Sequence, residues 1–371
     1  MKRNPYAFEE KLYLKCKESL RNNFGKDNYE ETRYGKYQES NVTLPGRFKS
    51  LVKTTINFFS LYKNSVYKRI LGDYGRQFEA IYSELDEPGK ALLIKILAFR
   101  ILGFKHVKIF DDNDFYFRSL EIVEKIKDKN ESIDPHFLNF ILNKFDLNAI
   151  GYDIKIFLPA VGVVIDFVLE QYAYRSNNKS VVVAERGDVV LDIGACWGDT
   201  ALYFASKVGN DGKVFSFEFI PDNIDIFKKN TSLNPHLEKQ IQLVSNPVSE
   251  VGDQTIYFKD GGPGSVIKMH PFSGQTGQTS TVSIDDFVVN NNLEKISYIK
   301  MDIEGAEPLA LRGAINTIRR FKPKLAIAIY HSLDDFANIP NWILSLDLGY
   351  QIYLGHYTIH GEETVIFAKA S

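Results

Sequence analysis

Cysteine is scarce in this chain: its 371 residues include only two, Cys16 and Cys196. The two lie far apart in the sequence, so their spacing favours neither a disulfide framework nor a cysteine-based metal site. Two thiols without such spacing are typical of a protein from a reducing compartment. We therefore expect a cytoplasmic protein.

Long apolar runs and an excess of either charge are also missing. Residues 91–104 are interrupted by Lys95 and Arg100, and residues 156–169 by Asp166, so no run reaches the roughly 18 apolar residues of a transmembrane helix. The first residues lack the apolar core of a secretory signal. The formal net charge is −2, which does not favour broad nucleic-acid binding. These absences argue against a membrane-spanning or nucleic-acid-binding protein.

The chain does have two regions with different patterning. The first, residues 1–149, carries apolar residues at helical spacing and is expected to be a helical cap or an oligomerisation module. Its predicted helices span residues 11–22, 47–71, 77–85, 90–102 and 117–127.

The second region, residues 150–371, alternates strands and helices, which indicates an α/β fold with a mostly parallel sheet. Its predicted strands span residues 189–194, 213–219, 241–247, 254–259, 296–302, 323–330, 349–357 and 363–369. Its predicted helices span residues 198–208, 221–232, 306–320 and 334–346. A short turn joins the last two strands, so we expect them to pair as an antiparallel hairpin. The glycine-rich segment 260–265 is either a hairpin connection or a mobile turn.

The most informative stretch is residues 189–200, where an apolar run is followed by Asp192, Gly194 and Gly198 and then by an amphipathic segment. This pattern is typical of a buried parallel strand that turns sharply into a helix, because glycine tolerates positive φ and lets a ligand approach the backbone. Unpaired N–H groups at the start of the helix favour an anionic or polar ligand. Nucleotide-type cofactors bind at such turns in doubly wound sheets.

The residues around this turn indicate which cofactor it binds. Gly194 and Gly198 give G-x-x-x-G rather than the dinucleotide pattern G-x-G-x-x-G, which disfavours a nicotinamide-dependent oxidoreductase. Asp192 would repel a pyrophosphate, whereas it would pair with the ammonium group of S-adenosylmethionine. Glu218 ends the next predicted strand, where an acid can hold both ribose hydroxyls. The two acids together predict S-adenosyl-L-methionine as the cofactor.

Residues 181–370 resemble an FkbM-type methyltransferase domain. The resemblance is carried by motifs in the family's order, among them Leu191-Asp-Ile-Gly-Ala-Cys-Trp-Gly-Asp-Thr-Ala201, Phe215-Ser-Phe-Glu-Phe219, Thr281-Val-Ser-Ile-Asp-Asp286, Ile299-Lys-Met-Asp-Ile-Glu-Gly-Ala-Glu307 and Lys322-Pro-Lys-Leu325. The chain departs from the family pattern at Phe219-Ile220 and at Cys196-Trp197.

The resemblance implies a class I methyltransferase fold: a Rossmann-like, mostly parallel sheet with a C-terminal antiparallel hairpin, preceded here by a helical region. It also implies methyl transfer, usually to a hydroxyl of a sugar, a glycan precursor or a secondary metabolite. The expected partner is therefore a small-molecule or saccharide acceptor. Residues 1–149 would then form a cap, a homo-oligomer contact or an acceptor-recognition surface. The alternative is a non-catalytic, methyltransferase-like scaffold in a biosynthetic complex.

The cofactor is expected to contact the loop and the ends of the strands beside it. Asp192 would face the ammonium group and Glu218 the ribose, while Thr200 either caps the helix or binds the methionine carboxylate. Phe219 either stacks on adenine or packs in the core, and Asn246 follows the third strand. The expected cofactor-binding residues are Asp192, Gly194, Ala195, Cys196, Trp197, Gly198, Thr200, Glu218, Phe219 and Asn246.

Catalytic groups are expected at the carboxyl ends of the parallel strands. Asp302 and Glu304 end one predicted strand, and Asp302 is the first choice for a catalytic or acceptor-binding carboxylate. His331 ends the next strand and is the expected general base, because the ordinary pKa of histidine lies near neutrality. His356 is a further candidate, whereas Glu307 is interpreted as a carboxylate at a helix N-terminus. Asp302, Glu304 and His331 could also hold a divalent cation such as Mg²⁺, but we assign no metal ligand.

Overall fold

The computed structural model describes residues 7–38, 64–110, 113–137, 140–177, 179–261 and 265–371. Of the helix expected over residues 47–71, the part up to residue 63 lies outside the described residues. The same holds for residues 262–264 of the glycine-rich segment.

The described strands belong to four sheets. In chain order they are β1 Lys127–Ile133, β2 Leu142–Asp146, β3 Lys155–Leu158, β4 Tyr174–Ser176, β5 Lys179–Val182, β6 Val189–Ile193, β7 Lys213–Phe217, β8 Ile241–Val244, β9 Thr255–Lys259, β10 Val266–Lys268, β11 Gly277–Ser280, β12 Tyr298–Met301, β13 Lys324–Ala328, β14 Tyr350–His356 and β15 Thr364–Ala370. The largest sheet has seven strands in the order β14-β15-β13-β12-β6-β7-β8. Two further sheets have three strands each, and β4 pairs with β5.

The seven-stranded sheet is parallel except for its C-terminal hairpin. β12 pairs in parallel with β6 and β13, and β7 pairs in parallel with β6 and β8. In contrast, β15 runs antiparallel to both β13 and β14. Every residue of β12 is buried, as expected for a parallel sheet that is covered on both faces. The expected fold class is therefore confirmed.

The helices surround this sheet, and none of those in the described ranges is long and apolar enough to span a membrane. The single helix expected over residues 306–320 is divided at Gly313, where a Cβ would meet the backbone of Ser249 and Glu250. The helices are α1 Ala7–Ser19, α2 Glu31–Tyr34, α3 Ser65–Gly72, α4 Gly75–Glu84, α5 Glu87–Leu102, α6 Asn113–Lys125, α7 Ala160–Val163, α8 Asp199–Val208, α9 Pro221–Ser232, α10 Pro235–Glu238, α11 Ile284–Asn290, α12 Glu307–Arg312, α13 Ile315–Phe321 and α14 Leu333–Ser345.

The N-terminal helices pack on the C-terminal part of the main sheet rather than around a core of their own. α1 and α4 contact α5, which contacts β14, and α4 also contacts α14. Leu12, Phe78 and Leu97 share one hydrophobic cluster with Phe336 and Ile352. The apolar faces of α1, α4 and α5 therefore pack on the C-terminal part of the sheet.

Residues 127–158 contain an antiparallel sheet that the sequence did not predict. β1 pairs with β2, and β2 pairs with β3. The boundary expected between residues 149 and 150 therefore lies between two paired strands. The sequence of β1 is Lys-Asp-Lys-Asn-Glu-Ser-Ile, and its polar residues leave no apolar alternation from which a strand could be predicted.

Candidate functional site

A cavity of about 530 Å³ lies at the carboxyl ends of β6, β7 and β12, the edge where parallel sheets place their ligands. Three of the expected residues, Asp192, Ala195 and Gly198, are not part of its wall. The expected residues that line it are Gly194, Cys196, Trp197, Thr200, Glu218, Phe219, Asn246, Asp302, Glu304 and His331.

The loop after β6 has the glycine-dependent geometry that the sequence predicted. Gly194 and Gly198 have φ of +82° and +85°, in the left-handed region that glycine tolerates best. A Cβ at Gly194 would overlap the carbonyl oxygen of Asp302, so β12 can approach the loop only because this residue is glycine. Cys196 also has a positive φ of +42°, which is strained for a residue with a side chain.

Asp192 does not face the cavity as the sequence predicted. Its side chain is fully buried and accepts hydrogen bonds from Thr200 Oγ1 at 2.9 Å and Ser216 Oγ at 3.0 Å. Lys300 Nζ lies 3.3 Å from the same carboxylate. These partners occupy Asp192, so it stabilises the strand ends beneath the loop and is not available to an ammonium group in the cavity.

Lys300 is a buried cation that was not among the expected site residues, although it is the one charged residue of the apolar strand β12. Its side chain is 1% exposed, and Nζ donates a hydrogen bond to the carbonyl oxygen of Gly194. Burial lowers the pKa of this ammonium group, but Asp192, Asp302 and Asp199 outweigh burial and hold the pKa above its ordinary value. Lys300 therefore remains charged and fixes the loop.

Glu218 lies at the end of β7 in the cavity wall, where the sequence placed it. Its Oε1 accepts hydrogen bonds from the backbone N–H groups of Phe219 at 2.7 Å and Ile220 at 2.8 Å, and Asn223 donates to Oε2 at 3.3 Å. Burial raises the pKa of Glu218 to about 7, although these hydrogen bonds lower it. The backbone thus fixes the orientation of the carboxyl group.

Phe219 and Asn246 are held in the cavity wall by the small sheet of β9, β10 and β11. The ring of Phe219 contacts Phe258 edge-on, with centroids 5.4 Å apart. Asn246 Nδ2 donates a hydrogen bond to the carbonyl oxygen of Ser280 at 3.0 Å. Trp197 is 5% exposed, and its indole N–H is buried without a hydrogen-bond partner. These side chains provide an aromatic and amide surface beside Glu218.

Asp302 is the centre of a hydrogen-bonded cluster. It accepts hydrogen bonds from the hydroxyls of Tyr172 at 2.9 Å and Tyr330 at 3.3 Å, and His331 Nε2 lies 3.3 Å from its carboxylate. Burial raises the pKa of Asp302, but the adjacent His331 ring and the charge of Lys300 outweigh burial, so the pKa lies below its ordinary value. Asp302 is therefore ionised.

His331 is held as an imidazolium. Its Nε2 lies 3.3 Å from Asp302 and 3.6 Å from Glu304, and its Nδ1 lies 3.3 Å from Glu307 Oε1. Burial lowers the pKa of the ring, but its ion pairs with Asp302 and Glu307 outweigh burial and raise the pKa to about 11. A ring that is already protonated at neutral pH cannot accept a proton. This environment argues against the general-base role that the sequence predicted for His331.

Glu304 has the exposure and the acidity that a general base requires. It lines the cavity, and its side chain is 53% exposed. The cavity wall still desolvates part of the carboxyl group, and this desolvation, followed by repulsion from Asp302, raises the pKa of Glu304 to about 7. Its φ is +57°, a conformation that is strained for glutamate, and strained residues of this kind cluster at functional sites.

His356, the other histidine considered from the sequence, is not part of this site. Its Nδ1 lies 2.9 Å from Thr364 Oγ1 in the protein interior, and the residue does not line the cavity. Burial, and then the charge of His360, lowers the pKa of His356 to about 3. Its ring is therefore neutral and packs between strands of the C-terminal hairpin.

Asp302, Glu307 and His331 also lie close enough together to hold a metal ion, with one possible ligand atom from each residue within 4.8 Å of the others. The two ring nitrogens of His331, however, face different carboxylates. Glu307 Oε1 already accepts a hydrogen bond from the N–H of Ile303 at 2.7 Å. This arrangement fits a protonated imidazole that bridges two acids, and we assign no metal ligand here.

Four further acids line the cavity and were not among the expected residues: Asp166, Asp199, Glu362 and Glu363. Asp166 and Asp199 lie nearest the glycine loop in the sequence. Each left a signal in the sequence. Asp166 is the one charged residue in the apolar stretch 156–169, and Asp199 directly follows Gly198. What the sequence could not show is that the fold brings them together.

The strand order of the main sheet, its antiparallel C-terminal hairpin and the glycine loop after β6 define a class I methyltransferase fold. Residues 192–352 match the family model described as the methyltransferase FkbM domain. This match confirms the resemblance to FkbM methyltransferases that the motifs predicted.

A curated methyltransferase is similar in sequence to part of the chain. The hexuronic acid methyltransferase AglP of Haloferax volcanii is 31% identical over 137 residues, which cover 37% of this chain and 54% of that protein. The chain thus spans about half the length of this curated relative.

Solved structures show similarity at lower identity. The crystal structure of methyltransferase FkbM from Methylobacillus flagellatus KT has 20% identity and a TM-score of 0.49, and the match covers 85% of this chain and 65% of that chain. Fibrillarin from Aeropyrum pernix, crystallised with natively bound S-adenosyl-L-methionine, has 12% identity and a TM-score of 0.33 over 64% of this chain and 99% of that chain.

Proposed function

We propose that this protein transfers a methyl group from S-adenosylmethionine to a hydroxyl group of a sugar or glycan precursor. The observation that carries the proposal is that the glycine loop, Glu218 and the cluster around Asp302 line a single cavity. A donor held at the loop and an acceptor held at the cluster would be within reach of each other. The relative described as a hexuronic acid methyltransferase supports a sugar as the acceptor.

The residues of the cavity fit this cofactor. Its volume lies within the range of about 300–1,000 Å³ that is common for small-molecule sites. Gly194 lets the loop and the end of β12 come together as adjacent walls of the cavity. Glu218 is oriented by backbone N–H groups so that its carboxyl group can accept hydrogen bonds from ribose hydroxyls, and Phe219 offers an apolar ring for adenine. When bound, the cofactor supplies an activated methyl group on a sulfonium centre.

The cluster around Asp302 would position the acceptor and remove its proton. Asp302, fixed by Tyr172 and Tyr330, would accept a hydrogen bond from an acceptor hydroxyl, and the His331 imidazolium would hold the carboxylates of Asp302 and Glu304 in place. Glu304 would take the proton of the acceptor hydroxyl, and the bound cofactor would supply the methyl group. Alignment of the reacting atoms lowers the barrier by several kcal/mol.

Methyl transfer by the full chain tests this proposal. S-adenosylmethionine labelled in its methyl group would be offered with neutral sugars, uronic acids and amino sugars, each free and nucleotide-linked. We expect the label in a methyl ether that resists mild base. Label in a base-labile ester would instead show methylation of a carboxylate, and cofactor binding without transfer to any acceptor would favour the non-catalytic scaffold.

Replacing Glu218 by Gln should weaken the binding of both S-adenosylmethionine and S-adenosylhomocysteine by about tenfold, since a charge-assisted hydrogen bond to the ribose is lost. Calorimetric titration measures this change. Glu238→Gln is the matched control, because Glu238 is exposed on α10 and outside the cavity wall. If the Glu218 variant bound both compounds as tightly as the unmodified chain, the ribose would not be bound at this strand end.

A further inference from the structure

Asp166 and Asp199 form a carboxyl pair whose role the chemistry above leaves open. Asp166 is only 8% exposed and lies in the π-helical turn Val164–Val168, a local geometry that is frequent at functional sites. Asp199 is the first residue of α8, directly after the glycine loop. The two carboxyl groups act directly on each other's pKa, and both line the cavity.

This pair has no cation of its own: in the described part of the chain, neither carboxyl group forms a salt bridge. Oδ1 of Asp199 is buried without a hydrogen-bond partner. Lys300 acts on both carboxyl groups from a distance, but its ammonium group is engaged by Asp192 and by the carbonyl oxygen of Gly194. Burial accordingly raises the pKa of both Asp166 and Asp199.

Two adjacent acids, one buried and one partly buried, are unfavourable unless they share a proton or a cation binds between them. The cavity wall beside them contains Gly194, Cys196 and Thr200, the loop residues that would contact the amino-acid moiety of the methyl donor. That moiety carries a primary ammonium group, whose three N–H donors can be shared by two carboxyl groups. Asp192, the residue expected to bind it, is occupied by Thr200, Ser216 and Lys300.

We propose that Asp166 and Asp199 together bind the ammonium group of the cofactor's methionine moiety, in place of Asp192. This inference rests on the proposed function, since it assigns a subsite for the same methyl donor. Asp199 Oδ1 supplies the free acceptor atom, and Asp166 supplies a second carboxyl group in the same cavity wall. Charge-assisted hydrogen bonds of this kind are stronger than those between neutral groups.

Three ligands distinguish this subsite from the rest of the cavity. S-adenosylmethionine and S-adenosylhomocysteine carry the ammonium group, whereas 5′-methylthioadenosine keeps the adenosine and the sulfur but lacks the amino-acid moiety. Each would be titrated calorimetrically into the full chain and into the Asp166→Asn and Asp199→Asn variants, which keep the side-chain shape and remove the charge. Asp222→Asn is the matched control, because Asp222 is exposed on α9 and outside the cavity wall.

We expect Asp166→Asn and Asp199→Asn each to bind the two ammonium-bearing ligands about 10- to 100-fold more weakly and to bind 5′-methylthioadenosine with unchanged affinity. An equal loss for all three ligands, or no loss for any, would overturn the inference. If the unmodified chain bound none of the three ligands, the proposed function itself would be contradicted. That outcome is distinct from the two that overturn only the subsite. Circular dichroism checks folding, and Asp199→Asn, at the start of a helix, provides the test if Asp166→Asn does not fold.

Discussion

Replacing Glu304 by Gln should lower kcat by about 10²- to 10⁴-fold, the usual contribution of a positioned general base, while the affinity for S-adenosylmethionine stays unchanged. The carboxyl group of Glu304 lines the cavity and is half exposed, and an amide in its place cannot accept the hydroxyl proton. Steady-state kinetics with the best acceptor from the labelled panel would measure kcat, and calorimetry would measure cofactor affinity.

The pH dependence of kcat separates this role from a purely structural one. Burial, with Asp302 adding to it, raises the pKa of Glu304 to about 7, and a base works only when it is deprotonated. We therefore expect kcat to rise with pH up to about 7 and then to level off, and the Gln variant to lose this rise. His331, with a pKa raised to about 11, stays protonated throughout that range.

Glu294→Gln is the control for this experiment, because Glu294 is exposed and lies outside the cavity wall. It should keep the rate and the pH profile of the unmodified chain. A Glu304→Gln variant that also kept both would show that another group accepts the proton.

Replacing Gly194 by Ala should both destabilise the fold and abolish cofactor binding. The added Cβ would overlap the carbonyl oxygen of Asp302, and overpacking typically costs about 1–3 kcal/mol. Alanine at a φ of +82° adds backbone strain of about 1–3 kcal/mol. The loop and the end of β12 would have to separate, which displaces two walls of the cavity. Denaturant unfolding and calorimetric titration measure the two effects.

Gly187→Ala separates backbone strain from steric overlap. Gly187 also has a positive φ, +79°, but a Cβ there meets nothing within 4 Å. This variant should therefore lose stability through strain alone and bind the cofactor normally. If Gly194→Ala were as stable as Gly187→Ala and bound the cofactor equally well, the close approach of the loop to β12 would not shape the site.

Local patterns were sufficient to predict the main sheet. The strands expected at residues 189–194 and 213–219 are Val189–Ile193 and Lys213–Phe217 in the structure, because each is a short apolar run that ends at a glycine or an acid. The C-terminal hairpin followed from the short turn between its strands. In contrast, β1 was missed because it is polar, and its pairing with β2 joins residues whose sequence carries no strand pattern.

The charge state of the site could not be predicted, since it depends on which strands lie side by side. Strand register places Asp192 directly beside Ser216 of β7 and Lys300 of β12, so its carboxylate is occupied by residues that are remote in the sequence. His331 is protonated for a similar reason, because Asp302 and Glu307, which follow β12, lie next to its ring. The sequence predicted that Asp192 and His331 lie at strand ends, but their roles depend on the strand order.

Calorimetric titration of the full chain with S-adenosylmethionine and with S-adenosylhomocysteine tests the central claim most directly. The account predicts that each compound binds once per chain with a micromolar Kd and that Gly194→Ala binds neither. A correctly folded, unmodified chain that bound neither compound would contradict the assignment of the cavity as a methyl-donor site.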